Sequence, residues 1–267
     1  MKPWEFLDNA KIYDLAQPYF TGMPHHPSHP PFLYSLLKRH GDYVAPGGAS
    51  SAAEAIAMGS HVGTHIDALC HFSCGGQLYG GFEAAGAQSY ERGFSRYSVD
   101  GVKPLLRRGV LLDVARQAGL DHLPVDFIVT PVLLEDARRT AGVDILAGDV
   151  VLLRTGWAMF WEDAPRYLTG GLESTTVCGP GPALEGARWL SSHGIFAAGS
   201  DTIAFEKVPD ASMPVHVHLL VESGIHIIEA LNMEELARAG VAEFLFVALP
   251  MKIRGGTGAP VRPVAIA

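Results

Sequence analysis

Residues 61–71 carry His61, His65, Asp67 and His71, three of the chain's twelve histidines together with a carboxylate. Imidazole nitrogen and carboxylate oxygen are suitable ligands for Zn²⁺ or Mn²⁺. His61 and His65 lie four residues apart, a spacing that one helical turn would align. Gly63 and Thr64 stand between them, and Val62 and Ile66 are β-branched. This composition favours a loop or the irregular end of a strand. Either conformation brings both imidazoles to one point, and Asp67 adds an oxygen from the same side. His71 reads in two ways. It is a fourth ligand, or it stands beside the metal as a general acid/base, since an ordinary histidine pKa of about 6.5 suits proton transfer near neutrality. A catalytic metal keeps a position open for water, which favours the second reading.

The elements that must position this cluster are legible as alternating runs. Residues 108–115, 149–155, 194–199, 225–230 and 243–250 are nearly continuous in Val, Ile, Leu, Ala and Phe, as expected of strands buried on both faces. Helical patterns lie between them. Thr130 and Pro131 open one as N-cap and first helical residue. Pro182 opens a second, which ends near Gly194. Asn232 opens a third as a capping box with Glu235, and Gly240 closes it. Strands alternating with helices indicate an α/β architecture. The first hundred residues, rich in Gly, Pro and His, read as antiparallel strands and long loops. Neither a composition shift nor a repeat marks a boundary, so residues 1–267 read as a single domain.

The 267 residues are 48% hydrophobic and 18% charged, with a formal net charge of -8. No basic stripe offers a nucleic-acid surface. No run approaches the roughly 20 apolar residues that span a bilayer, and no signal peptide is evident. Three cysteines make no disulfide framework. The expectation is a cytoplasmic protein acting on a small molecule, with neither nucleic acid nor membrane as partner. There is no nucleophile elbow of the G-x-S-x-G type and no dinucleotide fingerprint.

His61-x-Gly63-Thr64-His65-x-Asp67-x-x-x-His71 resembles the signature of the cyclase-like metal-dependent hydrolases, the family of bacterial kynurenine formamidase and isatin hydrolase. Leu69 stands where the usual pattern has proline. The stretches IYDLAQPYFTGMP, VVLLRTGW, GSDTIAF and the block 214–236 are similar to further family blocks, so the resemblance spans most of the chain. It implies a swivelling β/β/α domain with a mixed sheet flanked by helices, and a homodimer or higher homo-oligomer. It also implies a second histidine and an acid from a distant segment. Block 214–236 offers His216, His218, His226 and Glu229. As a strand, IHIIEAL places Glu229 opposite His226, so these two do not share an ion. An acid inside an apolar strand needs a partner, and either His216 or His218 can join it. The family pattern favours His216, with a one-residue insertion near Val221-Glu222. One or two Mn or Zn ions follow, His61, His65 and Asp67 on one, and Asp67, His216 and Glu229 on the other.

Other residues read less specifically. His218, His25, Trp157 and Phe72 are candidates for contacting the substrate or supporting the ligands. Trp157, Phe160 and Trp161 could cover an aromatic substrate or belong to the core. Cys70, His71 and Cys74 could hold a structural zinc, or the cysteines could simply pack as apolar residues. Arg154 and Asp201 read as a structural ion pair. The activity expected is hydrolysis of a C–N bond in a small amide, imide or cyclic amide of isatin or formamide type. Metal-activated water attacks and His71 shuttles the proton. Lactone opening uses the same acyl chemistry. A metal-dependent cyclase or lyase, and a non-catalytic metal-binding module, are the alternatives from other classes.

Overall fold

Strands that are apolar at every position must be covered on both faces, and the fold meets this demand. The computed structural model describes residue 7 and residues 9–267. In chain order the elements that matter here are β1 (Ile12–Asp14), β2 (Leu33–Lys38), β3 (Ala53–Ala57), β4 (His65–Asp67), β5 (Leu105–Asp113), α1 (Pro131–Ala141), β6 (Val150–Arg154), α2 (Leu184–Ser192), β7 (Ala197–Ser200), β8 (His226–Glu229), α3 (Glu234–Arg238), β9 (Glu243–Ala248), β10 (Gly258–Pro260) and β11 (Val264–Ile266).

Nine of the strands form one sheet in the order β1-β11-β9-β5-β6-β7-β8-β4-β10. The central β5, β6, β7 and β8 are parallel. The strands on both sides join antiparallel. This is the expected mixed sheet with flanking helices. Alternate residues feed two cores. On one face Val110, Leu112, Val151, Leu153 and Ile227 pack with Leu134 of α1 and Leu190 of α2. On the other, Leu111, Leu152 and Ile228 pack with Phe246 and with Leu236 of α3. β2 and β3 pair with each other outside the sheet, and every residue except Lys38 at the end of β2 is exposed. Among the described residues no helix is long and apolar enough to cross a membrane.

One of the three helix starts matches the sequence expectation and two differ. Thr130 Oγ1 accepts from Leu133 N at 3.3 Å with Pro131 in the first turn, and Gly142 closes α1 at φ 67°. Pro182 does not open α2. It pairs with Val129 in a short parallel bridge, and the helix begins at Leu184. Asn232 is not half of a capping box. Its Oδ1 accepts from Glu234 N, while Glu235 reaches out to Lys11 at 2.9 Å. The Arg154–Asp201 pair is also corrected. Arg154 is held by Glu234 at 2.9 Å and Asp113 at 3.0 Å. Asp201 instead accepts from Thr155 N, Thr155 Oγ1 and Gly156 N at 2.6–2.9 Å.

Thr130→Ala should therefore cost about 1 kcal/mol, the usual value of an N-cap oxygen. A urea titration would show a lower midpoint with an unchanged slope. An unchanged midpoint would mean that the α1 cap does not contribute.

Candidate metal centre

β4 is three residues long, and its first and last side chains project from the same face. Those are His65 and Asp67. Antiparallel pairing sets Glu229 of β8 directly opposite His65, so this carboxylate joins the same face. His226, three residues earlier, lies on the other face and its Nδ1 donates to the Asp67 carbonyl at 2.8 Å. The sequence expectation that Glu229 and His226 oppose each other therefore holds.

The Gly63-Thr64 pair ahead of β4 is a clamp. Thr64 Oγ1 donates to Ala230 O at 2.6 Å and accepts from Gln17 N at 2.8 Å. Tyr19 Oη lies 3.0 Å from the carbonyls of both Val62 and Thr64. Gly63 sits at φ +69°, and a Cβ there would come within 2.5 Å of the Tyr19 ring. The turn thus folds His61 back over β4. Its Nδ1 donates to Asp67 Oδ1 at 2.7 Å, and its Nε2 meets Thr257 Oγ1 at 2.8 Å.

His65 Nδ1 donates to Gly63 O at 2.8 Å. Its Nε2 is thereby turned to Asp67 Oδ1 at 3.5 Å and Glu229 Oε2 at 3.4 Å. His216 behaves alike. Its Nδ1 donates to Glu206 Oε1 at 2.5 Å, and its Nε2 points at Glu229 Oε1 at 3.3 Å and Asp67 Oδ2 at 3.9 Å. A bond at one ring nitrogen fixes which nitrogen the other end presents. All five groups are buried, Asp67 at 1% and Glu229 at 6% exposure.

Burial opposes each charge here, and the neighbours overrule it. Asp67 is held well below the usual carboxylate range by His71, His61 and His65, and Glu229 is lowered to about 2 by His216 and His65. Burial likewise opposes the charge on His216, yet Glu206 and Glu229 raise it to about 10. Two buried carboxylates thus demand compensating positive charge. A divalent cation would provide it, leaving the imidazoles as neutral ligands. Asp67 Oδ2 is buried and has no hydrogen-bond partner among the described residues. His61, His65 and Asp67 can bring ligand atoms within 4.8 Å of one another, and so can Asp67, His216 and Glu229. The residues fit a metal, and Asp67 belongs to both groups.

Over these groups opens a cleft of about 330 Å³. His71 lines it, its ring stacked 3.9 Å from that of His61, and its side chain has no hydrogen bond to the described residues. Phe72 lines it too, 4.8 Å from the His216 ring.

The Cyclase family model matches residues 13–207. The chain belongs to the cyclase family. The isatin hydrolase of Roseibium aggregatum is 27% identical over 213 residues, 78% of this chain and 72% of the relative. The kynurenine formamidase of Bacillus cereus is 25% identical over 260 residues, 97% of this chain and 98% of the relative. A crystal structure described as a novel cyclase superposes with a TM-score of 0.88 at 31% identity, covering 98% of this chain and 89% of the other. Two of these relatives are thus named as enzymes, an isatin hydrolase and a kynurenine formamidase.

Three sequence candidates, His218, Trp157 and His25, sit elsewhere than the cleft. His218 turns outward, its Nε2 on Ser191 at 2.8 Å and its Nδ1 on Glu222 at 2.7 Å. Two positions apart on a helix means roughly 200° of rotation, so His216 and His218 cannot face one point. Residues 217–223 are wound as a π-helix, which holds an extra residue per turn, at the place where the sequence suggests an insertion. Trp157 is buried in the core with its Nε1 donating to Tyr167 O at 2.9 Å, so it backs the cleft rather than walling it. His25 does not line the cleft, whereas His26 and His29 of the same loop do. Cys70 is buried with its Sγ 3.7 Å from Gly256 O and Cys74 is exposed, and among the described residues the two do not gather with His71 into a group of ligand atoms.

Glu206 and Thr257 escaped the sequence reading, whereas His26 and His29 belong to the proline-rich loop 24–32, whose three histidines read as able to line a substrate mouth or as an extended surface loop. The signal for Glu206 was an acid one residue beyond GSDTIAF. Thr257 gave none.

Gly258 backs His61 so closely that a Cβ would come within 2.4 Å of its ring. Gly258→Ala should therefore displace His61 and lower metal content by half or more while circular dichroism stays unchanged. Gly101→Ala, with open space around it, is the control. Full metal content in Gly258→Ala would show that His61 is not held as described.

Proposed function

We propose that the chain is a metal-dependent hydrolase that opens a C–N bond of a small amide, imide or cyclic amide, of isatin or formamide type. One observation carries the reading: two ligand groups share Asp67 at the floor of a cleft where the His71 imidazole is unbonded. His61, His65 and Asp67 would hold one ion, and Asp67, His216 and Glu229 a second, with Zn and Mn both suited to the donor set. When bound, the ion polarises the substrate carbonyl and lowers the pKa of water.

The chain's own residues supply the rest. Burial, with His61 and His216 nearby, pushes His71 down despite Asp67, so it rests as a neutral imidazole, the form that takes up a proton. It takes one from the attacking water and returns it to the leaving nitrogen. Phe72 closes one side of the cleft against water. Glu206 keeps Nε2 of His216 turned inward. The same reading makes residues 1–267 one domain of a cytoplasmic homo-oligomer. The exposed Leu33, Tyr34, Leu36, Leu37 and Ile56 of the β2–β3 hairpin support assembly.

Elemental analysis of untagged protein should find one or two equivalents of Zn or Mn, lost in His61→Ala. His71→Ala should keep the metal and lose roughly 10²–10⁴ in rate on whichever amide, imide or lactone of a panel is turned over. Protein that takes up neither ion would overturn the mechanism. Metal loss in His71→Ala would make His71 a ligand.

A further inference from the structure

Strand β8 has two sides, and only one faces the metal ligands. On the other, His226 opens into a separate cavity of about 500 Å³ that the proposed reaction does not use. Its walls include Leu69, Tyr97, Lys103, Arg107 and Phe196. That volume lies within the range of small-molecule sites.

Three observations give this cavity a chemical preference. First, the Arg107 guanidinium lies 3.6 Å over the Phe196 ring. Its Nη1 donates to Gly148 O at 3.0 Å, and it makes no other hydrogen bond to the described residues. Stacking fixes the guanidinium plane and leaves donors for a planar anion. Second, Lys103 adds a cation at the same cavity. The one carboxylate on the walls, Asp100, already accepts from Ser98 Oγ at 2.7 Å and Gly255 N at 3.1 Å. Third, His226 is 8% exposed, and its Nδ1–H is committed to the Asp67 carbonyl. The neutral ring therefore carries a lone pair on Nε2, which has no partner among the described residues. It can accept from a ligand N–H or O–H. Phe196 touches both polar ends, since its ring centroid is also 5.1 Å from that of His226.

We infer that this cavity is a second binding site, separate from the metal cleft, for a small carboxylate on a flat apolar frame that also bears a hydrogen-bond donor. The carboxylate meets Arg107 and Lys103, the donor meets His226 Nε2, and the frame lies among Leu69, Tyr97 and Phe196. The site stands whether or not the cleft on the opposite face holds a metal.

The probe is 3-hydroxybenzoate, whose carboxylate and hydroxyl are too far apart to chelate one ion. Titrated into the metal-loaded protein and followed by calorimetry, it should bind saturably. Arg107→Gln and His226→Phe should each weaken binding at least tenfold. Lys103→Glu, at an exposed position that the fold does not need, should do the same. His61→Ala should leave the affinity unchanged. Absence of saturation at millimolar probe would overturn the site, as would unchanged affinity in Arg107→Gln and Lys103→Glu. Loss of binding in His61→Ala would place the probe in the metal cleft and overturn it equally.

Discussion

Two carboxylates, Asp67 and Glu229, lie side by side inside the protein at 1% and 6% exposure. An ionised carboxylate removed from water is costly unless charge and hydrogen bonds replace the solvent. Much of the architecture around them answers that demand. Histidines approach from the turn before β4, from β4 itself and from the helical segment at 214–223. Phe205 donates its backbone N–H to Glu229 at 2.7 Å. A third buried acid, Glu206, holds His216 from behind. The antiparallel addition of β4 beside β8 is what makes the two acids neighbours at all.

How much of this could be read from residues alone depended on how local the cause was. The central strands were legible because burial on both faces leaves no polar position to interrupt the run. His61, His65 and Asp67 were legible because one turn and one short strand hold all three. His216 and His218 were ambiguous because choosing between them needs the helical phase of residues 214–223, and that segment changes its winding at His216. Thr257 and Gly258 gave no signal, since they reach His61 only when β10 pairs with β4. Trp157 misled because an aromatic near a family-like block looks the same whether it walls a cleft or backs one. Its indole N–H bonded to Tyr167 O decides the matter.

The alternation of a strand gives β8 a double use. Glu229 serves the cleft and His226 the cavity behind it, and the bond from His226 to the Asp67 carbonyl ties the two faces across one peptide. The neighbouring β6 and β7 are apolar along Val150–Leu153 and Ala197–Gly199 and carry no such pair. The metal-ligand set gathers where β4 joins β8 at the antiparallel margin of the sheet, where short strands and loops admit polar side chains.

The distance along the chain between the groups that meet at Asp67 has a consequence for folding. His61 and Thr257 are 196 residues apart, and His226 and the Asp67 carbonyl 159. Contacts of such separation form late, because loop closure must precede them. A chain with its parallel core assembled but β4 and β10 undocked would possess every ligand residue and no ligand set. A cation binding only the completed arrangement would then act as a latch on the native topology, adding about 2.7 kcal/mol at a hundredfold excess over its dissociation constant. Metal supply would in that case govern how long the protein survives as well as how fast it works.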